Sequence, residues 1–521
     1  MDKIKNYFQD IYQSFSLGKL ILGILVLEVL SFTAFSFPEL NPVFFVILIG
    51  LTLILAIKNL FWGILILLGD LIINSKGYLF AWSFGNFSVS IRLGLFVAVF
   101  IAFFIWIIRD KKIRVLEWSL WKPYFFLIIV IFWGVLLGLL HGNSLANIFF
   151  DANGYLYLGL IAPLVQAVRS RKHVLQLFAV FLGAGFFVML KTLLLLFIFS
   201  HLVANSDTFM AIYRWLRDTG VGEVTNMKFG FYRIFFQSHI YTVFIFFFVG
   251  TQLALSSWSW RMLKTKTFIF TYILFAWSLL NIFLVYSRSF WVGSVATMLF
   301  LLVWIFIKEQ KSGKRIFGLL AILGVTFAID IVFALGLVNF PTPGASSLSA
   351  TSLLSERTKN ITTENASLSR LSLLRPLTQA SLNHPIFGSG LGSVLTYKSS
   401  DPRILETNPE GWYTTYAFEW GYLDLWFKFG FLGLLAYGYL LFSIFKYGLR
   451  RMKEKAFHLE TLALLFSLLA LIATHCFTPY LNHPLGIGWL IFVSVIITLN
   501  AKYDKEQTVV QQFLVTEPTS I

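Results

Sequence analysis

Five arginines and two carboxylates, set in an otherwise apolar chain, raise the first chemical question. Arg288 sits in VYSRSFWVG, a turn of a few residues between two long apolar runs, and Arg233 lies in MKFGFYRIFFQSH just before another. Arg370 and Arg375 are interleaved with leucines in SLSRLSLLRPLTQASLNHP, and Arg92 follows SVSI. Arginine beside hydrocarbon is costly, and arginines kept there tend to serve a function. The plain reading is that each snorkels to a lipid headgroup. The sharper one is that they grip phosphate oxygens, for which guanidinium offers paired donors and a permanent charge. Several such groups at one membrane surface call for a pyrophosphate or another multiply anionic lipid ligand. Glu419, an isolated carboxylate among aromatics in TTYAFEWGYLDLWF, is the candidate general base. Desolvation at a membrane edge would raise its pKa into a useful range. Asp424 is the neighbouring alternative.

Other groups read more blandly. His384 and His239 are the histidines nearest the arginines, and a histidine before proline, as in His384-Pro385, more often orders a turn. Lys191, inside an apolar run, is expected to be paired or snorkelled. The stretch SLNHPIFGSGLGS carries Gly388, Gly390 and Gly392 on alternate positions. Glycines so spaced make a tight turn, admit close backbone approach, or cradle a phosphate. The chain has no H-E-x-x-H, no acidic cluster, no Cys/His ligand spacing and no nucleotide-type glycine loop. The reading therefore assigns no metal and no cofactor, so the substrate itself must supply the driving energy.

The elements that position these residues follow from composition. The 521 residues are 58% hydrophobic and only 13% charged, against about 25% charged in ordinary globular domains. Apolar runs long enough to cross a bilayer recur from residue 19 to residue 500. The fold class is all-α: a polytopic transmembrane bundle of about 14 spans (range 12–14), with a large extracytoplasmic loop containing short amphipathic helices. Spans are expected near 19–37, 41–57, 59–74, 90–108, 120–140, 154–168, 174–200, 236–256, 267–285, 289–307, 316–336, 427–445, 459–476 and 484–500. Residues 1–336 form the N-terminal membrane helices, 337–426 the large loop, 427–500 the C-terminal helices and 501–521 a cytoplasmic tail. Residues 1–16 read as an amphipathic segment on the membrane surface. The Ser/Thr-rich stretch 341–367 reads as a flexible lid, 368–382 as an amphipathic surface helix with Leu368, Leu371, Leu374, Leu377 and Leu382 on one side, and the tail beyond 505 as disordered.

The net charge of +16 follows topology rather than nucleic-acid binding. Alternate connections such as RDKKIR, RSRKH, KEQKSGKR and KYGLRRMKEK, together with the termini, hold 26 of the 41 Lys and Arg. By the positive-inside rule that side is cytoplasmic, and both termini lie on it. The arginines and Glu419 then face outward. The single cysteine, Cys476, excludes an intrachain disulfide framework.

Three pieces of the sequence together resemble the O-antigen polymerase and O-antigen ligase superfamily of bacterial envelope glycosyltransferases. They are the turn Ser287-Arg288-Ser289, the block from Arg370 to Gly392, and the span entry from Tyr422-Leu423 through Gly430-Phe431-Leu432-Gly433. The resemblance is strongest over residues 281–290 and 368–440. It implies many membrane helices with a large outer loop packed over a central cavity, in a bacterial plasma (inner) membrane. It also implies metal-free transfer of a polyprenyl-pyrophosphate-linked glycan to an acceptor hydroxyl. Arg233, Arg288 and Arg370 match the family's pyrophosphate-binding arginines, with Arg375 beside them. His384, Pro385, Gly388, Gly390 and Gly392 match its loop-shaping block. Glu419 and Arg288 are the catalytic candidates. Where family ligases usually begin the later motif with His-Asn, this chain has Glu419-Trp420. That departure favours a polymerase, which extends a glycan on a second lipid-linked repeat unit, over a ligase or a protein oligosaccharyltransferase. A lipid-linked glycan flippase is the reading from a different class. The expected partners are the lipid-linked glycan, the bilayer and a chain-length-regulating protein.

Overall fold

The computed structural model describes residues 3–85, 87–201, 206–227, 231–255, 264–308, 312–341, 365–452 and 458–515. Within them the chain is a bundle of helices with three short hairpins. Among the described residues eleven helical stretches are long and apolar enough to cross a membrane. The shorter apolar helices Leu60–Ile73, Leu459–His475 and Pro484–Leu499 occupy the three remaining expected spans. Each apolar run folds as helix because hydrocarbon offers its backbone no other hydrogen-bond partners.

In chain order the elements are α1 (Lys3–Ser14), α2 (Leu17–Ser36), α3 (Leu40–Lys58), α4 (Leu60–Ile73), β1 (Ala81–Phe84), β2 (Phe87–Ser90), α5 (Ile91–Asp110), α6 (Trp121–Leu140), α7 (Leu145–Asn153) and α8 (Ile161–Ala167). They continue as α9 (Arg171–His201), α10 (Ser206–Asp218), β3 (Glu223–Asn226), β4 (Tyr232–Phe235), α11 (Ile240–Leu255), α12 (Lys266–Leu284), α13 (Arg288–Lys308) and α14 (Ser312–Asn339). The last are α15 (Asn365–Asn383), β5 (Leu395–Lys398), α16 (Pro402–Thr407), β6 (Trp412–Thr415), α17 (Gly421–Arg451), α18 (His458–His475) and α19 (Pro484–Val515).

Helices α9, α11 and α19 form the centre, where Trp489 packs against Phe181, Phe244 and Phe492 at 4.6–4.9 Å between ring centroids. Helices α2, α3, α13 and α14 leave apolar faces uncovered, as lipid-facing spans do; Val29, Ile47, Phe306 and Val332 are examples. The three hairpins, α15 and the α18–α19 turn gather at one end of the bundle. There Ser75 meets Ser238, and Tyr480 donates to the carbonyl of Gln237. The opposite end is tied by Arg171–Glu460 and Arg169–Asp110.

Several expectations need correction. Helix α1 is docked rather than only lying on a surface: Phe8 and Ile11 are buried and the Tyr12 hydroxyl hydrogen-bonds Thr271. The helix of the last span continues to Val515, through the stretch expected to be disordered after 505. Of the 341–367 stretch expected as a lid, residues 342–364 lie outside the described residues and 365–367 belong to the first turn of α15. Helix α15 buries Leu373, Leu377 and Ser381, whereas Leu371, Leu374 and Leu382 are exposed, so its inward stripe is offset from the expected one.

Candidate active site

The glycine block does not cradle an anion. Its amides are already satisfied by protein: Gly388 N–H donates to His384 O, Gly390 N–H to Lys428 O and Gly392 N–H to the Asp151 carboxylate at 2.7 Å. Its acceptors explain the break in α17, where Gly430 is non-helical with φ +66°. At that break Phe431 and Leu432 donate to Pro385 O and Ile386 O. The carbonyls of Phe427 and Lys428, which a continuous helix would bond to those same amides, accept from Ser389 and Gly390. Loop and helix thus exchange main-chain hydrogen bonds. Glycine is required by both the positive φ and the closeness of the two backbones: a Cβ on Gly390 (φ +85°) would lie 2.3 Å from the amide nitrogen of Gly138 in α6.

A buried ionic group locks this junction. Lys428 Nζ contacts Asp151 at 2.7 Å and Asp424 at 2.8 Å, and Asn482 donates to the other Asp424 oxygen. All three charged side chains are less than a tenth exposed. Asp424, the alternative base, is therefore committed to structure. Within the block itself, His384, Pro385 and Ile386 are exposed; the His384 ring packs near that of His141, and Trp426 donates to Pro385 O.

Next to this junction, α15 lies on α17 through Leu373 and Leu377 against Phe418, Phe427 and Tyr397. That packing brings Arg370 to Glu419: Nε meets the carboxylate at 2.5 Å, and the Trp420 indole donates to Arg370 O. The enclosed aromatic setting expected for Glu419 is absent, since its side chain is 45% exposed and its carboxylate is held by a guanidinium. The aromatic neighbours in sequence turn elsewhere: Phe418 packs inward and Trp420 packs on Phe477. Arg375 is exposed on α15, five residues along, and does not reach this pair.

Two further arginines lie on the other side of the α18–α19 turn. Hairpin β3–β4 presents Arg233, whose Nε donates to Val285 O at 2.9 Å and whose guanidinium stacks over Phe235. Val285 and Tyr286 (φ +52°) form the tight turn that starts α13 at Arg288, with Ser287 and Ser289 hydroxyls 3.0 Å apart. Phe290 packs on Tyr480, and Phe477 packs on Trp420. Residues 476–483 thus lie between the Arg233–Arg288 region and the Arg370–Glu419 pair. Burial pushes the Tyr480 phenol above its ordinary pKa, so it remains a donor.

The remaining polar groups are structural. Arg92 is buried on Asp70 and Ser75 O, so it is not an outer-surface phosphate ligand. Lys191 is paired with Glu28. Both ring nitrogens of buried His239 are engaged, one by Phe236 N–H and one by the Thr192 hydroxyl. Sequence reasoning missed Asp151 and Lys428. Their signal was a charge inside an expected span or just before one. Among the described residues no group of three or more His, Cys, Asp or Glu is placed to hold a metal.

No curated protein matches the chain. A family model described as O-antigen ligase matches residues 273–438, from within α12 to beyond the break in α17. The matched stretch contains Arg288, Arg370, Arg375, the glycine block and Glu419, while Arg233 lies before it. Over these residues the chain is similar to the O-antigen ligase family, and its long apolar helices make it a multi-pass membrane protein.

Proposed function

We propose that the protein is a polysaccharide polymerase. It transfers a polyprenyl-pyrophosphate-linked glycan to a hydroxyl of a second lipid-linked repeat unit, at the outer face of a bacterial plasma membrane. The observation that carries the reading is the meeting of Arg370 with Glu419 on one side of the 476–483 turn, opposite Arg233 and Arg288 on the other. A charge-binding group and a carboxylate at the same bundle end are what a displacement at an anomeric carbon needs.

In this mechanism Arg233 and Arg288 hold the diphosphate and stabilise the charge that grows on it as it leaves. Glu419, aimed by Arg370, takes the proton of the acceptor hydroxyl. The hydroxyl oxygen forms the new bond to the anomeric carbon. The bond from that carbon to the diphosphate oxygen breaks, and its electron pair departs with the polyprenyl diphosphate. A single displacement inverts the anomeric configuration. The glycine block keeps the loop docked on α6 and α17 so that α15 can carry Arg370 to Glu419.

The family description favours a second reading, a ligase that uses a different acceptor. The test offers the purified protein lipid-linked repeat units alone, then with a lipid-core or protein acceptor. A ladder on repeat units alone supports the polymerase, and product only on the added acceptor makes it a ligase. No transfer, with glycolipid appearing on the opposite leaflet of proteoliposomes, overturns both in favour of a flippase.

A further inference from the structure

A cavity of about 380 Å³ opens at the loop-bearing end, between α10, the β3–β4 hairpin and the segment after α4. That size falls within the range of about 300–1,000 Å³ typical of small-ligand sites. Its walls include Lys76, Arg217, Glu223, Thr225, Phe235 and Gln237. The walls are polar, with both signs of charge, an amide, the hydroxyls of Thr225 and Tyr213, and two aromatic rings. One of its lining residues carries a leftover acceptor: Gln237 Oε1 is buried and has no hydrogen-bond partner among the described residues. A buried acceptor without a donor is costly, and a donor entering beside it would offset that cost.

The register of the hairpin says what that is. Glu223 pairs with Phe235 and Thr225 with Arg233. Residues directly opposite in an antiparallel pair share a face, as do residues two apart on one strand. Arg233, Phe235, Glu223 and Thr225 therefore project from one face, and three of the four line the cavity. Side chains two apart on a strand stand about 7 Å from each other. A diphosphate on Arg233 thus leaves the group it carries beside Phe235 and over the cavity.

We propose that this cavity is the subsite for the sugar residue attached directly to the diphosphate. The inference rests on the proposed function, because it takes Arg233 as a diphosphate ligand. The Gln237 amide and the Glu223 carboxylate accept from sugar hydroxyls, and Lys76 and Arg217 donate to sugar oxygens. The arrangement makes the enzyme a reader of the first sugar, not only of the lipid diphosphate.

The test measures binding to the full chain in nanodiscs of two probes, polyprenyl diphosphate alone and the same lipid bearing one sugar from the repeat unit. The expected result is at least tenfold tighter binding of the glycosylated lipid. That advantage should vanish in Gln237→Leu and in the exposed-site variants Glu223→Gln and Lys76→Met, with the sugar-free lipid still bound. Equal binding of the two lipids by the unaltered protein overturns the subsite while leaving the proposed function standing. So does an advantage that survives in Glu223→Gln and Lys76→Met. Failure to bind either lipid overturns both. Glu223→Gln and Lys76→Met decide the matter if Gln237→Leu fails to fold.

Discussion

Replacing Lys428 by methionine removes the one cation shared by Asp151 and Asp424 and keeps the side-chain volume. The two carboxylates, each within 2.8 Å of that nitrogen, are then left facing one another less than a tenth exposed. At about 5 Å and an effective dielectric constant of about 20, two like charges repel by about 3 kcal/mol. Removing one partner of a buried ion pair costs about 3–5 kcal/mol in general, so the two routes agree. Thermal or denaturant unfolding in detergent should show Lys428→Met destabilised by about 3–5 kcal/mol. The double variant Lys428→Met/Asp151→Asn should recover about 3 kcal/mol of that, because the repulsion is gone and the amide oxygen of the substituted side chain still accepts from Gly392. Activity of the single variant should fall with stability, since the junction positions α15. Two results would refute the reasoning: a single variant within about 1 kcal/mol of the unaltered protein, or a double variant no more stable than the single.

Three other outcomes are expected. Gly390→Ala should lose more than about 2 kcal/mol by the same unfolding assay, because it combines a left-handed φ with a backbone clash, whereas Gly18→Ala, in open space, should be neutral. Arg92→Met should destabilise by about 3–5 kcal/mol by stranding buried Asp70, as a structural arginine does, with the KM for lipid substrate unchanged. Arg375→Ala should leave turnover within about twofold, because exposed charges away from a site contribute under about 0.5 kcal/mol; Arg370→Ala, which strips Glu419 of its partner, should lower kcat by at least about tenfold as a lost charged hydrogen bond does.

The bundle was readable because an apolar run longer than about 18 residues has few fates other than a span. The short spans at 60–73 and 459–475 were readable as well, from the punctuating polar residues at their ends. What sequence could not supply was pairing across the chain. Asp151 and Lys428 are 277 positions apart, and the helix expected to begin at 427 begins at Gly421, taking Asp424 into its first turn beside Lys428. The two glycine motifs could be seen, but not that Gly430 breaks a helix so that the block around Gly390 can fill it. Glu419 was singled out by its aromatic neighbours, yet strand and helix entry turn those rings away and leave the carboxylate to Arg370. Arg92 reads in sequence as one of the outward arginines and Lys191 as paired or snorkelled, and only the folded chain names Asp70 and Glu28 as their partners.

The central claim is that this bundle end transfers a glycan using arginines and one carboxylate. The most direct measurement is product analysis with purified protein and lipid-linked repeat units, in chelator and without nucleotide, comparing the unaltered chain with Arg288→Ala and Glu419→Gln. A ladder of longer lipid-linked glycans with inverted linkage is expected from the unaltered chain, lost in both folded variants. A ladder that persists in Glu419→Gln, or one that retains the anomeric configuration, would contradict the claim.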